Sequence, residues 1–297
     1  MGEWRVDEEG YVEDLQGRVA VVTGAASGIG KALALGFAAE GCRVVLADVE
    51  QEPLDAAAAE VGDSGAQALS VRTDVTDADS VEALAAATVD RFGEVHVLWN
   101  NAGVGGGGTI RNTQLVDWKW VIAVSLWGVI HGLNAFLPHL VRSGDAHVVS
   151  TASVAGLMAS PGLGPYNAAK YGVVAIMETL HHEMAVDTEA NVGVSVLCPG
   201  EVSTNIATGQ RNRPEHLRRS GSRRPSNDEA RRRNEAIAAA LAEHGKDPAE
   251  VADLVIDAIR AGRFWVLSHP HYLRDVEHRN ESLHRMENPT LLRPLFG

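Results

Sequence analysis

Two cysteines in 297 residues, Cys42 and Cys198, are too few for a disulfide framework. Each adjoins an apolar run, so both read as buried thiols in a reducing compartment. Aromatic residues are also scarce, at 5%. No stretch of about 18 apolar residues free of charge or glycine occurs, which leaves no expected membrane span. Basic charge is in deficit, with 26 lysines and arginines against 39 acids and a formal net charge of -13. A nucleic-acid binder needs a basic face to neutralise phosphates, so that class is disfavoured. The segment from Met1 to Gly10 is polar and acidic, unlike a signal peptide. The expectation is a cytoplasmic protein that binds neither membrane nor nucleic acid. No metal is expected either. His131, His181 and His182 lie in helical stretches without partners at ligand spacing, and His269 and His271 read as contacts of the C-terminal tail.

What is present is a chain that is 45% hydrophobic, ample for one large core, and residues 1–297 are read as a single domain. Short β-branched runs alternate with longer amphipathic stretches. Strands are predicted at Arg18 to Thr23, Arg43 to Asp48, Ala68 to Arg72, His96 to Asn100, Ala146 to Ser150, Val192 to Cys198 and Phe264 to Leu267. Helices are predicted at Gly28 to Glu40, Glu52 to Val61, Ala78 to Phe92, Gln114 to Val141, Pro165 to Asp187 and Pro248 to Ala261. That alternation is the pattern of an α/β fold, a doubly wound seven-stranded parallel sheet of Rossmann type with helices on both faces. No internal repeat points to a solenoid. Two segments stand apart, an insertion over residues 205–246 and a tail over 268–297 whose role the sequence does not declare.

The turn Thr23-Gly24-Ala25-Ala26-Ser27-Gly28-Ile29-Gly30 follows a strand and opens a helix. Gly24 and Gly28 let backbone approach phosphate oxygens, and Gly30 lets the helix pack closely on the sheet, as in a dinucleotide pyrophosphate site. By itself such a turn is equally a tight bend with no ligand, and context argues for the ligand. Asp48 ends the next strand, where a carboxylate accepts hydrogen bonds from ribose hydroxyls and repels a 2'-phosphate, while Ser27 and Val49 offer no cation. NAD is therefore expected over NADP. Far downstream, Tyr166 and Lys170 are one helical step apart on a common face, where an ammonium lowers a phenol's pKa toward a proton donor's working range. Ser153 stands thirteen residues before the tyrosine.

These motifs resemble the short-chain dehydrogenase/reductase family, closely from Leu15 to Thr204 and more loosely to Leu267. The family's cofactor turn matches Thr23, Gly24, Gly28, Ile29 and Gly30, and its adenine-side pair matches Asp74 and Val75. Its Asn-Asn-Ala-Gly motif is Asn100, Asn101, Ala102 and Gly103. Its Pro-Gly turn is Pro199 and Gly200, with Val202 following, and Thr204 matches a hydroxyl that binds the nicotinamide carboxamide. The resemblance implies an alcohol/ketone oxidoreductase. Tyr166 would be general acid/base, Ser153 would hold the substrate oxygen, and Lys170 would lower the tyrosine pKa and bind the nicotinamide ribose. The helix residue that is asparagine in relatives is Ser125 here, and its backbone carbonyl is expected to serve the proton relay. Relatives pair their long apolar helices across a two-fold axis, so a homodimer or homotetramer is implied. A sensor or scaffold that keeps the fold without turnover is the alternative class. Intact Ser153, Tyr166 and Lys170 argue against it.

The loops after the fourth, fifth and sixth strands are apolar and glycine-rich, which suits an uncharged hydrophobic or cyclic alcohol or ketone. The insertion is unlike them. Between Arg211 and Arg233 nine arginines face three acids, a local +6 in a chain of -13, which leaves -19 elsewhere. Three readings stand open. The first is a solvated, partly disordered lid whose charges meet the protein's own acidic surface. The second is a site for an acidic or coenzyme A-linked substrate, and the third, nucleic-acid binding, lacks interleaved aromatics.

Overall fold

The computed structural model describes residues 12, 14–106, 108–187, 190–219 and 227–290. Its elements run β1 (Val19–Thr23), α1 (Gly28–Ala39), β2 (Arg43–Asp48), α2 (Gln51–Asp63), β3 (Ala68–Arg72), α3 (Ala78–Phe92), β4 (Val97–Asn100), α4 (Leu115–Ile122), α5 (Gly128–Ser143), β5 (Ala146–Thr151), α6 (Gly164–Val186), β6 (Val192–Cys198), α7 (Asn227–His244), α8 (Pro248–Arg260), β7 (Trp265–Leu267) and α9 (Leu273–His284). The seven strands form one sheet in the order β3-β2-β1-β4-β5-β6-β7, and every pairing is parallel. This is the doubly wound Rossmann arrangement expected from the sequence.

Burial on both faces explains why the central strands read as unbroken apolar runs. β1, β4, β5 and β6 are buried throughout. One face of the sheet packs Leu33 and Phe37 of α1 with Val255 and Ile259 of α8. The other packs Leu84 of α3, Phe136 and Leu140 of α5 and Val173 and Met177 of α6. Each such side chain stabilises the fold by about 1.5–3 kcal/mol through transfer from water. Cys42 and Cys198 are buried and unpaired, and burial pushes both thiols up to about 12.

Helix boundaries follow local chemistry. Asp77 caps α3 by accepting the Asp79 N–H, and Gly93 ends that helix in the left-handed region at φ 83°. Asp247 caps α8 through the Ala249 N–H, with Pro248 just inside the start. α4 and α5 are joined without a break by a π-helical turn over Ala123–Trp127. The combined rod Leu115–Ser143 is long and apolar enough to cross a membrane by length and composition alone. Here Val129, Phe136 and Leu140 bury its inner face against the sheet.

One expectation needs correction. β1 starts at Val19 and β4 at Val97, one residue later than predicted, because Arg18 closes a turn on Leu15 and the His96 ring accepts the Val19 N–H at 3.1 Å. The described part of the insertion holds 3₁₀ turns at Asn205–Asn212 and Glu215–Leu217 and the helix α7. Arg223 and Arg224 lie outside the described residues, as do the side chains of Arg231 and Arg233. The tail, described to residue 290, forms α9. It is held by Tyr272 donating to Glu201 at 2.6 Å and by Arg279 over the Tyr171 ring at 5.5 Å.

Candidate active site

The strand order reverses between β1 and β4, and the crevice expected at the carboxyl ends of the strands there is a cleft of about 530 Å³. Of the residues singled out in the sequence, Gly24, Ser27, Gly28, Ile29, Asp48, Asp74, Val75, Asn101, Ala102, Gly103, Ser153, Tyr166, Lys170, Pro199, Gly200, Val202 and Thr204 all line it. Gly30 and Ser125 do not.

Gly30 lies beneath the turn. A Cβ there would stand 2.1 Å from the Gly24 carbonyl oxygen and 2.6 Å from Asn101 Nδ2, so only glycine lets α1 start this close to β1. Gly24, at φ 66°, and Gly28, at φ 56°, hold left-handed conformations that favour glycine. A Cβ on Gly24 would meet Ala102 Cα at 2.9 Å. Ser27 is the N-cap of α1 but makes no side-chain cap bond. The first-turn N–H groups thus have no capping side chain, which suits an anion at the helix start.

The Asn101 side chain braces the same turn. Its Nδ2 donates to Thr23 O at 3.0 Å, and its Oδ1 accepts from Thr151 Oγ1 at 3.1 Å. Thr23 Oγ1 in turn accepts the N–H groups of Asn101 and Ala102. At the β2 end, Asp48 accepts the Ala26 N–H at 3.1 Å and the Glu50 N–H at 3.0 Å. Burial raises its pKa, and those two N–H groups oppose the rise. Asp74 closes the turn after β3 by accepting from Thr76 N–H and Oγ1, while Val75 O is held by His131 Nδ1 at 2.9 Å.

At the opposite end, Ser153 caps a single 3₁₀ turn, Val154–Gly156, through the Ala155 N–H at 3.1 Å. Its hydroxyl also reaches Pro199 O at 3.3 Å. Tyr166 and Lys170 share the buried face of α6, with Lys170 Nζ 5.6 Å from the Tyr166 ring centroid and donating to Thr151 O at 2.7 Å. Burial pushes the Tyr166 phenol up to about 12, against the Ser153 hydroxyl that lowers it. It also pushes Lys170 down to about 8. The lysine was expected to depress the tyrosine; in this geometry burial dominates both groups. Gly156 sets the spacing of the whole group, because a Cβ there would lie 2.6 Å from Lys170 O. Gly156→Ala should push the Ser153 turn off α6 and cost about 2 kcal/mol by overpacking. A thermal melt unchanged from wild type would refute that constraint.

Ser125 sits within the π-helical turn, fully buried. Its Oγ accepts the Val104 N–H at 3.1 Å and donates to Val104 O at 3.3 Å. The side chain is therefore spent on bracing the segment after Gly103 rather than facing the cleft.

Several cleft residues escaped the sequence reading. Trp120 belongs to an apolar cluster with Val104, Tyr166, Ile206 and Leu217, so α4 and the insertion wall the end where Ser153 and Tyr166 stand. His216 lines the cleft as well. Behind Trp120 two arginines of the insertion are engaged. Arg213 NH1 lies 2.8 Å and Arg219 Nε 2.7 Å from Asp117 Oδ1. Arg213 also donates to Leu217 O at 2.8 Å, and its guanidinium carbon lies 5.1 Å from the centre of the Trp120 ring. Arginine density was the only sequence signal for these contacts; nothing in the spacing names the partners.

Known proteins agree with this architecture. Residues 18–215 match the profile of the short chain dehydrogenase family. A short chain dehydrogenase/reductase from Burkholderia phymatum, solved in complex with NAD, is 40% identical, with a TM-score of 0.88 over 95% of this chain and 99% of that one. The 1-deoxy-11-beta-hydroxypentalenate dehydrogenase of Streptomyces arenae is 41% identical over 65% of this chain and 70% of its own. Actinorhodin polyketide ketoreductase, solved with NADPH, is 31% identical with a TM-score of 0.70 over 85% of this chain and 95% of its own. Joined to the cleft described above, these matches mean that the chain belongs to the short-chain dehydrogenase/reductase family of oxidoreductases.

Proposed function

We propose that the protein interconverts a secondary alcohol and a ketone with NAD as hydride carrier, and that the substrate is hydrophobic or cyclic. The observation that carries this reading is one cleft joining Asp48 and the glycine turn at one end to Ser153, Tyr166 and Lys170 at the other. The glycine cradle and uncapped α1 start fit a pyrophosphate, and Asp48, already oriented by two N–H groups, fits a ribose diol. A nicotinamide dinucleotide bound there would give or take hydride. Pro199, Gly200, Val202 and Thr204 would complete its enclosure.

The chain's own residues handle the proton. Tyr166 exchanges it with the substrate oxygen, the Ser153 hydroxyl steadies that oxygen, and Lys170 supplies positive charge while Thr151 O fixes its position. Ser125 contributes by bracing Val104 and holding the π-helical turn, a feature that recurs at functional sites. The Trp120, Ile206 and Leu217 wall supports an apolar substrate. An acidic or coenzyme A-linked substrate would find three of the insertion's arginines, Arg211, Arg213 and Arg219, already paired with Glu50 and Asp117.

A screen of secondary alcohols of graded size with NAD and with NADP, read by the absorbance of reduced nicotinamide, tests the reading. Turnover with NAD that favours bulky apolar alcohols is expected. The pH dependence has a definite sign. Oxidation needs the Tyr166–Lys170 group to have lost one proton, leaving a phenolate beside the lysine ammonium to accept the alcohol's proton, so kcat/KM for oxidation climbs with pH as that coupled group titrates and then levels off. Ketone reduction consumes that proton and falls over the same range. A flat oxidation profile through neutral pH would contradict this assignment.

A further inference from the structure

Asp48 is not the only charged group at its end of the cleft. Glu50, two residues further along, and Arg211, from the 3₁₀ turn Asn205–Asn212, both line the cleft. Arg211 Nε donates to Glu50 Oε1 at 2.8 Å and Arg211 NH2 to Glu50 Oε2 at 2.5 Å, a two-point guanidinium–carboxylate pair. The Asn212 side chain bonds Glu50 as well, and Arg211 first, then Asn212, holds the Glu50 carboxyl below its usual range. The pair is coupled to Asp48 through the Glu50 N–H on Asp48 Oδ1. Arg211 is held charged mainly by Glu50, with Asp48 adding to the effect.

Asp48, Glu50 and Arg211 together carry one net negative charge beside the place where a ribose 2'-substituent would lie. A 2'-phosphate arriving there meets the Asp48 carboxylate and an arginine already occupied in both donor directions. We propose that Glu50 is a cofactor-specificity residue that acts through Arg211, sequestering that guanidinium of the insertion and so disfavouring NADP beyond the effect of Asp48. This inference rests on the reading that the cleft takes a dinucleotide with its adenosine ribose at Asp48. Removing the Glu50 charge makes the cluster neutral and frees Arg211 to pair with phosphate.

The test is nucleotide binding, independent of any substrate. Wild type, Glu50→Gln and Glu50→Gln/Arg211→Ala are titrated with NADH and with NADPH, following nucleotide fluorescence. Glu50→Gln should tighten NADPH binding by about tenfold, the worth of a charge-assisted contact, while NADH affinity changes much less. Adding Arg211→Ala should erase the gain. Unchanged NADPH affinity in Glu50→Gln would overturn the proposal, as would a gain that survives loss of Arg211. Equal weakening of both nucleotides would also overturn it, making the pair a clasp that only holds the insertion down. The wild-type preference is a separate readout: tighter NADPH than NADH would refute the NAD reading, while the response to Glu50→Gln still decides the role of Glu50.

Discussion

Tyr166→Phe is expected to abolish nearly all turnover while leaving the fold and dinucleotide binding intact. The ring would remain packed with Trp120, Ala155 and Ala169, so the cleft wall keeps its shape. What is lost is one hydroxyl whose side-chain hydrogen bond is to Ser153, and its removal should change stability by no more than about 1 kcal/mol. Loss of the group that exchanges a proton with the substrate should lower kcat by about a thousandfold, within the range general acid–base catalysis contributes. Steady-state rates with the best alcohol from the screen give the first readout, and NADH titration by fluorescence the second. Near-wild-type rates in Tyr166→Phe would remove the tyrosine from the chemistry. A parallel loss of NADH binding would mean that the phenol serves the dinucleotide instead.

Why that tyrosine could be chosen from the sequence, while its electrostatics could not, shows where reading a chain stops. The step from Tyr166 to Lys170 is a local relation fixed by helical geometry, and α6 carries both on its buried face. Their pKa values depend on burial by residues far away in the chain, and burial drives the phenol up and the ammonium down. The same division runs through the fold. β2 and β6 match their predicted bounds because buried parallel strands are continuous apolar runs between polar ends, and the half-buried edge strand β3 matches as well. β4 came out shorter because the His96 side chain, rather than a strand ladder, receives the Val19 N–H.

The insertion illustrates the limit more sharply. Its arginines were visible as composition, and pairing with the protein's own acids was one of three readings. Glu50 and Arg211 are 161 positions apart, and only the fold brings them together. α7 was hidden by the same arginines, although the run Ile237-Ala238-Ala239-Ala240-Leu241 has high helix propensity and delivers Leu241 to the cleft. α9 offers only Leu273, Val276 and Leu283 as a sparse apolar stripe, and the Tyr272–Glu201 bond and the Arg279–Tyr171 stack that hold this part of the chain are long-range. Ser125 was expected to act through its carbonyl; the π-helical turn that sets its side chain on Val104 has no sequence signature.

The second large effect is expected at Asp117, which no motif or spacing singles out. Its carboxylate is almost fully buried and receives Arg213, Arg219 and the Gln114 N–H, the last closing the capping box of α4. Burial works to raise its pKa, but Arg219, the Gln114 N–H and Arg213 outweigh it and hold the carboxyl below its ordinary value. A depressed carboxylate contributes stability that is fully present above the unfolded value of 3.8 and is lost as pH falls through the folded one. Asp117→Ala removes this partner while the Arg213 side chain stays only 4% exposed, with NH2 already lacking a bond. Stranding a buried charge should cost about 3–5 kcal/mol, read as a lower urea midpoint at neutral pH. The double variant Asp117→Leu/Arg213→Met removes both charges and should recover most of that loss, because apolar replacements of buried pairs are often neutral or better. Its specificity should not recover. With the guanidinium gone, nothing ties Leu217 O to the Trp120 face, and the preference for bulky over small alcohols should fall even as the melt returns. If stability and size preference recover together, the Arg213 stack supports the fold and leaves the cleft wall to pack by itself.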